Sequence, residues 1–132
     1  MTKPKYPAVR VGPLPFAKIN RALGTELDEG EVWMSSHAHK HVAVDHPEDY
    51  PFIMAALVEI VSSPLYVGQD PKHGENFYVI KPIGDGAPNP HALVVIGLVT
   101  NRHGSYNVRS AYTTNQETVN QRRAAKRLHV LL

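Results

Sequence analysis

The sequence predicts an α+β domain, with helices packed on one face of a mainly antiparallel sheet and a basic helix closing the chain. Three observations carry this. Phe52, Ala55, Ala56, Glu59 and Ile60 recur at helical spacing, and Ile53, Leu57 and Val61 widen their apolar stripe. From Phe77 onward the pattern changes to β-rich runs separated by glycine and proline turns. The 132 residues are enough for one domain with one core and too few for two.

Residues 1–15 hold Pro4, Pro7, Pro13 and Pro15, which fit neither a helix interior nor a central strand, so the segment reads as an extended arm. Pro15 can open a short helix through Phe16, Ile19 and Leu23 that Gly24 stops. Asp28-Glu29-Gly30 turns the chain into a short strand, Glu31–Met34. Ser35 and Ser36 suit the start of a helix from residue 37 to about 45. His46-Pro47 breaks it, because a residue before proline is pushed out of helical geometry. The stronger helix spans about 48–61 and ends at Ser62-Ser63-Pro64.

In the second half, residues 65–68 are a short extended piece and 77–81 a strand closed by Pro82. Residues 84–90 form a loop with two glycines and two prolines. The apolar run 93–100 has the character of a central strand buried on both faces. Residues 101–104 turn the chain, and 105–113 return as a partner strand. Residues 115–128 read as a basic helix with Arg122, Arg123, Lys126 and Arg127.

Composition narrows the function classes. At 42% hydrophobic and 20% charged residues the chain is globular rather than disordered or fibrous. Fourteen Lys and Arg against twelve Asp and Glu permit an anionic partner without demanding one. With no cysteine, disulfide scaffolds, thiolate metal ligands and thiol nucleophiles are excluded. No apolar stretch approaches the ~20 residues of a membrane span, and residues 1–7 lack the apolar centre of a signal peptide. A cytoplasmic domain with no membrane partner is expected.

Residues 37–46, His-Ala-His-Lys-His-Val-Ala-Val-Asp-His, hold four of the chain's eight histidines. Three chemistries are open. A metal could use His37, His39 and His41 on one strand face, or His37 and His41 on one helix face. The spacing departs from the His-x-His-x-Asp-His set of the metallo-β-lactamase fold, because residues 40–44 separate His39 from Asp45, and no metal is expected. Metal-free acid–base catalysis is the second chemistry, since imidazole gives and takes protons near neutrality. On a helix Asp45 is four residues from His41 and can orient it. The third is an exposed polar helix start, the weightier reading for His37 and His39, with His46 holding the turn before Pro47.

Strict alternation in the last strand would put Ser105, Asn107, Arg109, Ala111 and Thr113 on one face and Tyr106, Val108, Ser110 and Tyr112 on the other. Ser110 and Tyr112 then offer two hydroxyl donors for a phosphate oxygen. Arg109 joins them only if a bulge re-aims it. Lys81 and Lys72 are further candidates for an anion, each also readable as a solvated charge. Arg122 and Arg123 give the last helix an electrostatic footprint for nucleic acid. The six tyrosines, Tyr6, Tyr50, Tyr66, Tyr78, Tyr106 and Tyr112, are candidate stacking partners for unpaired bases, or core.

The order of these features resembles a known group. A strand ending in Ser35, a helix with His41, His46-Pro47, a long helix ended by Ser63-Pro64, Tyr66-Val67-Gly68 and a late Ser110-x-Tyr112 resemble the phage-associated branch of the barnase/EndoU/colicin/RelE-like nuclease superfamily. The resemblance covers about residues 31–128. It implies N-terminal helices on a sheet of about four antiparallel strands, and an endoribonuclease that works without metal or other cofactor. RNA (tRNA among the candidates) would be cut by 2′-OH attack to a 2′,3′-cyclic phosphate. A toxin-like or phage-effector role in a bacterial host follows, with an antitoxin or immunity protein as a candidate partner. By position, His41 matches the helix histidine, His46 the histidine before proline, Ser110 and Tyr112 the last-strand polar pair, and Lys81 a basic group. Arg109 or Lys81 would hold non-bridging oxygens beside Ser110 and Tyr112. His37 and His39 match nothing. The competing reading is a non-catalytic module that binds nucleic acid or protein through the basic helix.

Overall fold

Strand β5 (His91–Gly97) is buried on both faces almost throughout, so the sheet around it must be covered on each side. The computed structural model describes residues 5–131 except 71, 73 and 85. Strands β4 (Asn76–Pro82) and β6 (Tyr106–Thr114) flank β5, both antiparallel to it. On one face Ala92, Val94 and Ile96 of β5 join Phe77, Val79, Val108 and Ala111. They meet Ile53, Leu57, Ile60 and Val61 of helix α3 (Tyr50–Ser62) and Ile19 of helix α1 (Phe16–Leu23). Each Val, Leu, Ile or Phe among them contributes about 1.5–3 kcal/mol by leaving water. On the opposite face Leu93, Tyr78, Ile80 and Tyr66, the last from β3 (Tyr66–Gln69), meet Val119 of helix α4 (Gln116–Ala124) and Leu128.

The expectation of about four antiparallel strands with helices on one face is corrected on three counts. Among the described residues the sheet has seven strands, in the order β1 (Val9–Pro13), β2 (Glu31–Met34), β6, β5, β4, β3, β7 (His129–Val130), and it is mixed, although the α+β class stands. First, part of the proline-rich arm is strand β1 (Val9–Pro13), antiparallel to β2 (Glu31–Met34). An edge strand tolerates the missing N–H of Pro13. Second, β2 runs parallel to β6, through Val32–Tyr106 and Trp33–Asn107. Third, α4 ends at Ala124 rather than near 128, and Lys126 has a left-handed φ of 60°. That turn drops Leu128 into the core and frees β7 (His129–Val130) to pair with β3. The central strand also ends at Gly97, short of residue 100.

Beyond Met34 the chain leaves the sheet, so β2 covers only the start of β6. Helix α2 (Ser36–Asp45) follows at once, with Ser35 Oγ accepting the Ala38 N–H at 3.1 Å. It packs along β6 through Ala38 and Val42, both in the core. Among the described residues no strand pairs with the outer edge of the far half of β6, and a side chain takes that place. Asp49 accepts the Thr113 N–H at 2.9 Å and its hydroxyl at 2.6 Å. Its carboxylate therefore makes no cap bond to α3, although Asp49 occupies the N-cap position. Among the described residues no helix is long and apolar enough to cross a membrane.

Candidate active site

Helix α2 turns Ala38, His39 and Val42 inward, and residues 37, 41 and 45 form the neighbouring stripe at four-residue spacing. His41 Nδ1 lies 2.6 Å from Asp45 Oδ2. A carboxylate only accepts, so Nδ1 carries the hydrogen, and in the neutral form of the ring the lone pair is on Nε2. That atom is 3.4 Å from Ser110 Oγ. At side-chain exposures of 39% and 52% the pair adds only about 0.3–0.5 kcal/mol to stability, so its main effect is to fix the ring.

His46 ends α2, its N–H donating to Val42 O at 3.0 Å and its carbonyl accepting from Asp49 and Tyr50. Its ring stands 5.9 Å from His41, nearly perpendicular, and 5.4 Å from Tyr112 at a 32° tilt. The four residues singled out for catalysis, His41, His46, Ser110 and Tyr112, are thus brought together from a helix, its end and a strand 64 or more residues later in the chain.

Arg109 reaches the same place through a bulge. Val95 pairs with Ser110 but Ile96 pairs with Val108, which leaves Arg109 as an extra residue. Strict alternation fails here: Tyr106, Val108, Ala111 and Thr113 are the buried set, while Asn107, Ser110 and Tyr112 are half-exposed. The Arg109 guanidinium lies against Gly97, where an added Cβ would stand 3.0 Å from Nε and 3.3 Å from Nη2. Gly97 has the strand parity of Leu93 and Val95, so the arginine crosses the face that carries Ser110. An open cleft of about 460 Å³ is lined by Ser35, His37, His41, Asn107 and Arg109, among others.

The remaining candidates lie elsewhere. Lys81 pairs with core residue Ala92 and so belongs to the opposite face, its Nζ 2.8 Å from Ser63 O and 3.4 Å from Glu59. Lys72 is exposed in the β3–β4 turn, its N–H bonded to Asp70. Arg122 stacks over Tyr78 at 4.9 Å and Arg123 over Tyr66 at 5.4 Å, so both fasten α4 to the sheet. Burial raises the Tyr78 hydroxyl above the ordinary 10.0, and the Arg122 charge opposes the shift. His39 is buried between Pro7 O and the Tyr50 hydroxyl. It holds the arm rather than a ligand. Among the described residues no group of three His, Asp or Glu side chains is gathered so as to hold a metal.

Gly97 and Asp49 were missed by the sequence reading, and only Gly97 carries a signal, since a glycine inside an apolar strand marks a close approach. Asp49 meets Thr113 across 64 residues and has none.

A family model described as phage-Barnase-EndoU-ColicinE5/D-RelE like nuclease3 matches residues 9–121. No curated protein and no solved structure gives a match. The matched span runs from β1 into α4 and contains the cleft, both histidines and the bulged strand. The chain therefore belongs to the phage-Barnase-EndoU-ColicinE5/D-RelE like nuclease3 family, as the order of its residues led one to expect.

Proposed function

We propose that the protein is an endoribonuclease that needs no metal, cutting RNA by attack of a 2′-oxygen on the adjacent phosphorus. One observation carries the reading: an imidazole oriented by a carboxylate offers a free nitrogen beside a hydroxyl, at a cleft that an arginine enters. His41 Nε2 takes the 2′-OH proton as that oxygen bonds to phosphorus. Arg109, Ser110 and Tyr112 hold the non-bridging oxygens, where negative charge accumulates. His46 supplies a proton to the departing 5′-oxygen, leaving a 2′,3′-cyclic phosphate and a free 5′-hydroxyl. Two proton-transfer groups on one substrate explain why residues 41 and 46 approach each other. A toxin-like or phage-effector role, with an antitoxin or immunity protein to restrain it, belongs to the same reading. The binding-only alternative has less support, because Arg122 and Arg123 are already engaged with tyrosines.

Incubation of total RNA in EDTA tests this, with His41→Ala beside the parent. Cyclic-phosphate ends from the parent are expected, with the variant about 10²–10⁴-fold slower. Since His41 is half-exposed, the variant should keep its thermal midpoint within a few degrees. Equal cleavage by both proteins, cleavage of DNA, or a requirement for added metal would sink the proposal.

A further inference from the structure

We propose that Trp33 is a stacking platform for a nucleobase next to the scissile phosphate; this rests on the ribonuclease reading and names a subsite for it. Among the Phe, Tyr and Trp side chains of the described residues, Trp33 is the only one exposed, at 37%. The tyrosines are otherwise occupied. Tyr6 and Tyr50 pack with His39, and Tyr112 with His46. Tyr66 and Tyr78 lie under α4 arginines, and Tyr106 is buried. The fold does not need the indole where it is, since Val32 and Met34 make the core contacts of β2 and Trp33 points the other way.

That other way is the face of the candidate site. Trp33 pairs with Asn107, and the register carries the same face on to Ser110 and Tyr112 past the Arg109 bulge. A second cleft of about 440 Å³, lined by Trp33, Asn101, Ser105 and other residues, continues the first and shares Ser35 and Asn107 with it. Asn107 to Ser110 is three residues, about 10 Å at ~3.3 Å each and less across a bulge. A phosphate held by Arg109 and Ser110 leaves its neighbouring base within reach of the ring. Asn107 Oδ1 accepts from Asn101 at 3.4 Å, and Nδ2 has no partner among the described residues, leaving a donor for the base edge.

Trp33 is also the chain's single tryptophan, so tryptophan emission, excited beyond the tyrosine absorption band, reads this site alone. The experiment titrates the His41→Ala protein with a single-stranded RNA oligonucleotide, following tryptophan emission and, separately, the anisotropy of a labelled copy. Emission should fall in step with binding. Trp33→Ala should weaken the dissociation constant by about 5- to 150-fold, the range for loss of one stacked base. Trp33→Phe should recover most of it. Binding with unchanged emission and no loss in Trp33→Ala would overturn the subsite and leave the ribonuclease reading standing. Absence of RNA binding by anisotropy would overturn both together.

Discussion

One face of this sheet has two halves made of similar side chains and put to different uses. Over β3 and β4, arginines meet tyrosines as Arg122 on Tyr78 and Arg123 on Tyr66, with Val119 and Leu128 packed between them. Over β6 and β2 the same face carries Arg109, Tyr112 and Trp33, and although Tyr112 packs against that cluster, Arg109 and Trp33 stay exposed. The chain leaves β2 early, and α2 stands at the edge of this half instead of on top of it. In the covered half Arg122 and Arg123 have internal partners. In the open half the cations and donors border a cleft. Charge and aromatic content are alike, so what separates the proposed binding surface from the scaffold is whether the fold has already used the partners.

Among the changes that test this contrast between the two halves, the largest effect should come from removing the cation of the open half. Arg109→Ala is expected to lower kcat about 10²–10³-fold, the usual loss for one donor to a developing oxyanion. Because residue 109 is the extra residue of a bulge, its deletion should restore regular pairing of Val108 and Ser110 with β5 without turning either over. The deletion protein should therefore fold and be as inactive as Arg109→Ala. A folded deletion protein that cleaves at the parental rate would remove Arg109 from the site.

A smaller effect is expected at the edge that keeps the cleft open. Asp49→Ala leaves the Thr113 N–H and hydroxyl without their acceptor, and Thr113 is buried. Urea denaturation should show a loss of about 2–3 kcal/mol, since buried donors stripped of a charged partner are costly. An unchanged midpoint would mean that α2 and α3 keep β6 in place without this contact.

Much of this was legible in the residues because it depends on local pattern. The α2 and α3 boundaries follow from Ser35, His46-Pro47 and Ser63-Pro64, and the His41–Asp45 pair follows from helical spacing alone. The parallel pairing of β2 with β6 and the two edge strands were not legible, because nothing in Val9–Pro13 or His129–Val130 announces a partner. Even Lys81, a reasonable anion ligand by type, falls on the far face through a pairing register that only the folded sheet fixes. Bulges lie between the two cases. Without one, Arg109 and Ser110 cannot share a face, so the sequence states the condition and the hydrogen-bond ladder meets it.

The smallest effect should fall on the covered half, and it sharpens the contrast most. Arg122→Ala removes a half-buried cation from the Tyr78 ring, a loss of about 0.5–2 kcal/mol in stability. RNA cleavage should stay within about twofold of the parent, because that charge already has its partner inside the fold. The tyrosine itself gives an independent readout. Burial raises the Tyr78 hydroxyl and the Arg122 charge and hydrogen bond hold it down, so losing the arginine should move its ionisation to still higher pH in an absorbance titration. The sign follows from linkage. A raised folded value means the contribution is present below the ordinary 10.0 and is lost as pH climbs through the folded value. A shifted titration with unchanged cleavage would place Arg122 in the scaffold. A tenfold loss of cleavage would instead extend the proposed RNA surface across α4 and erase the distinction between the two halves.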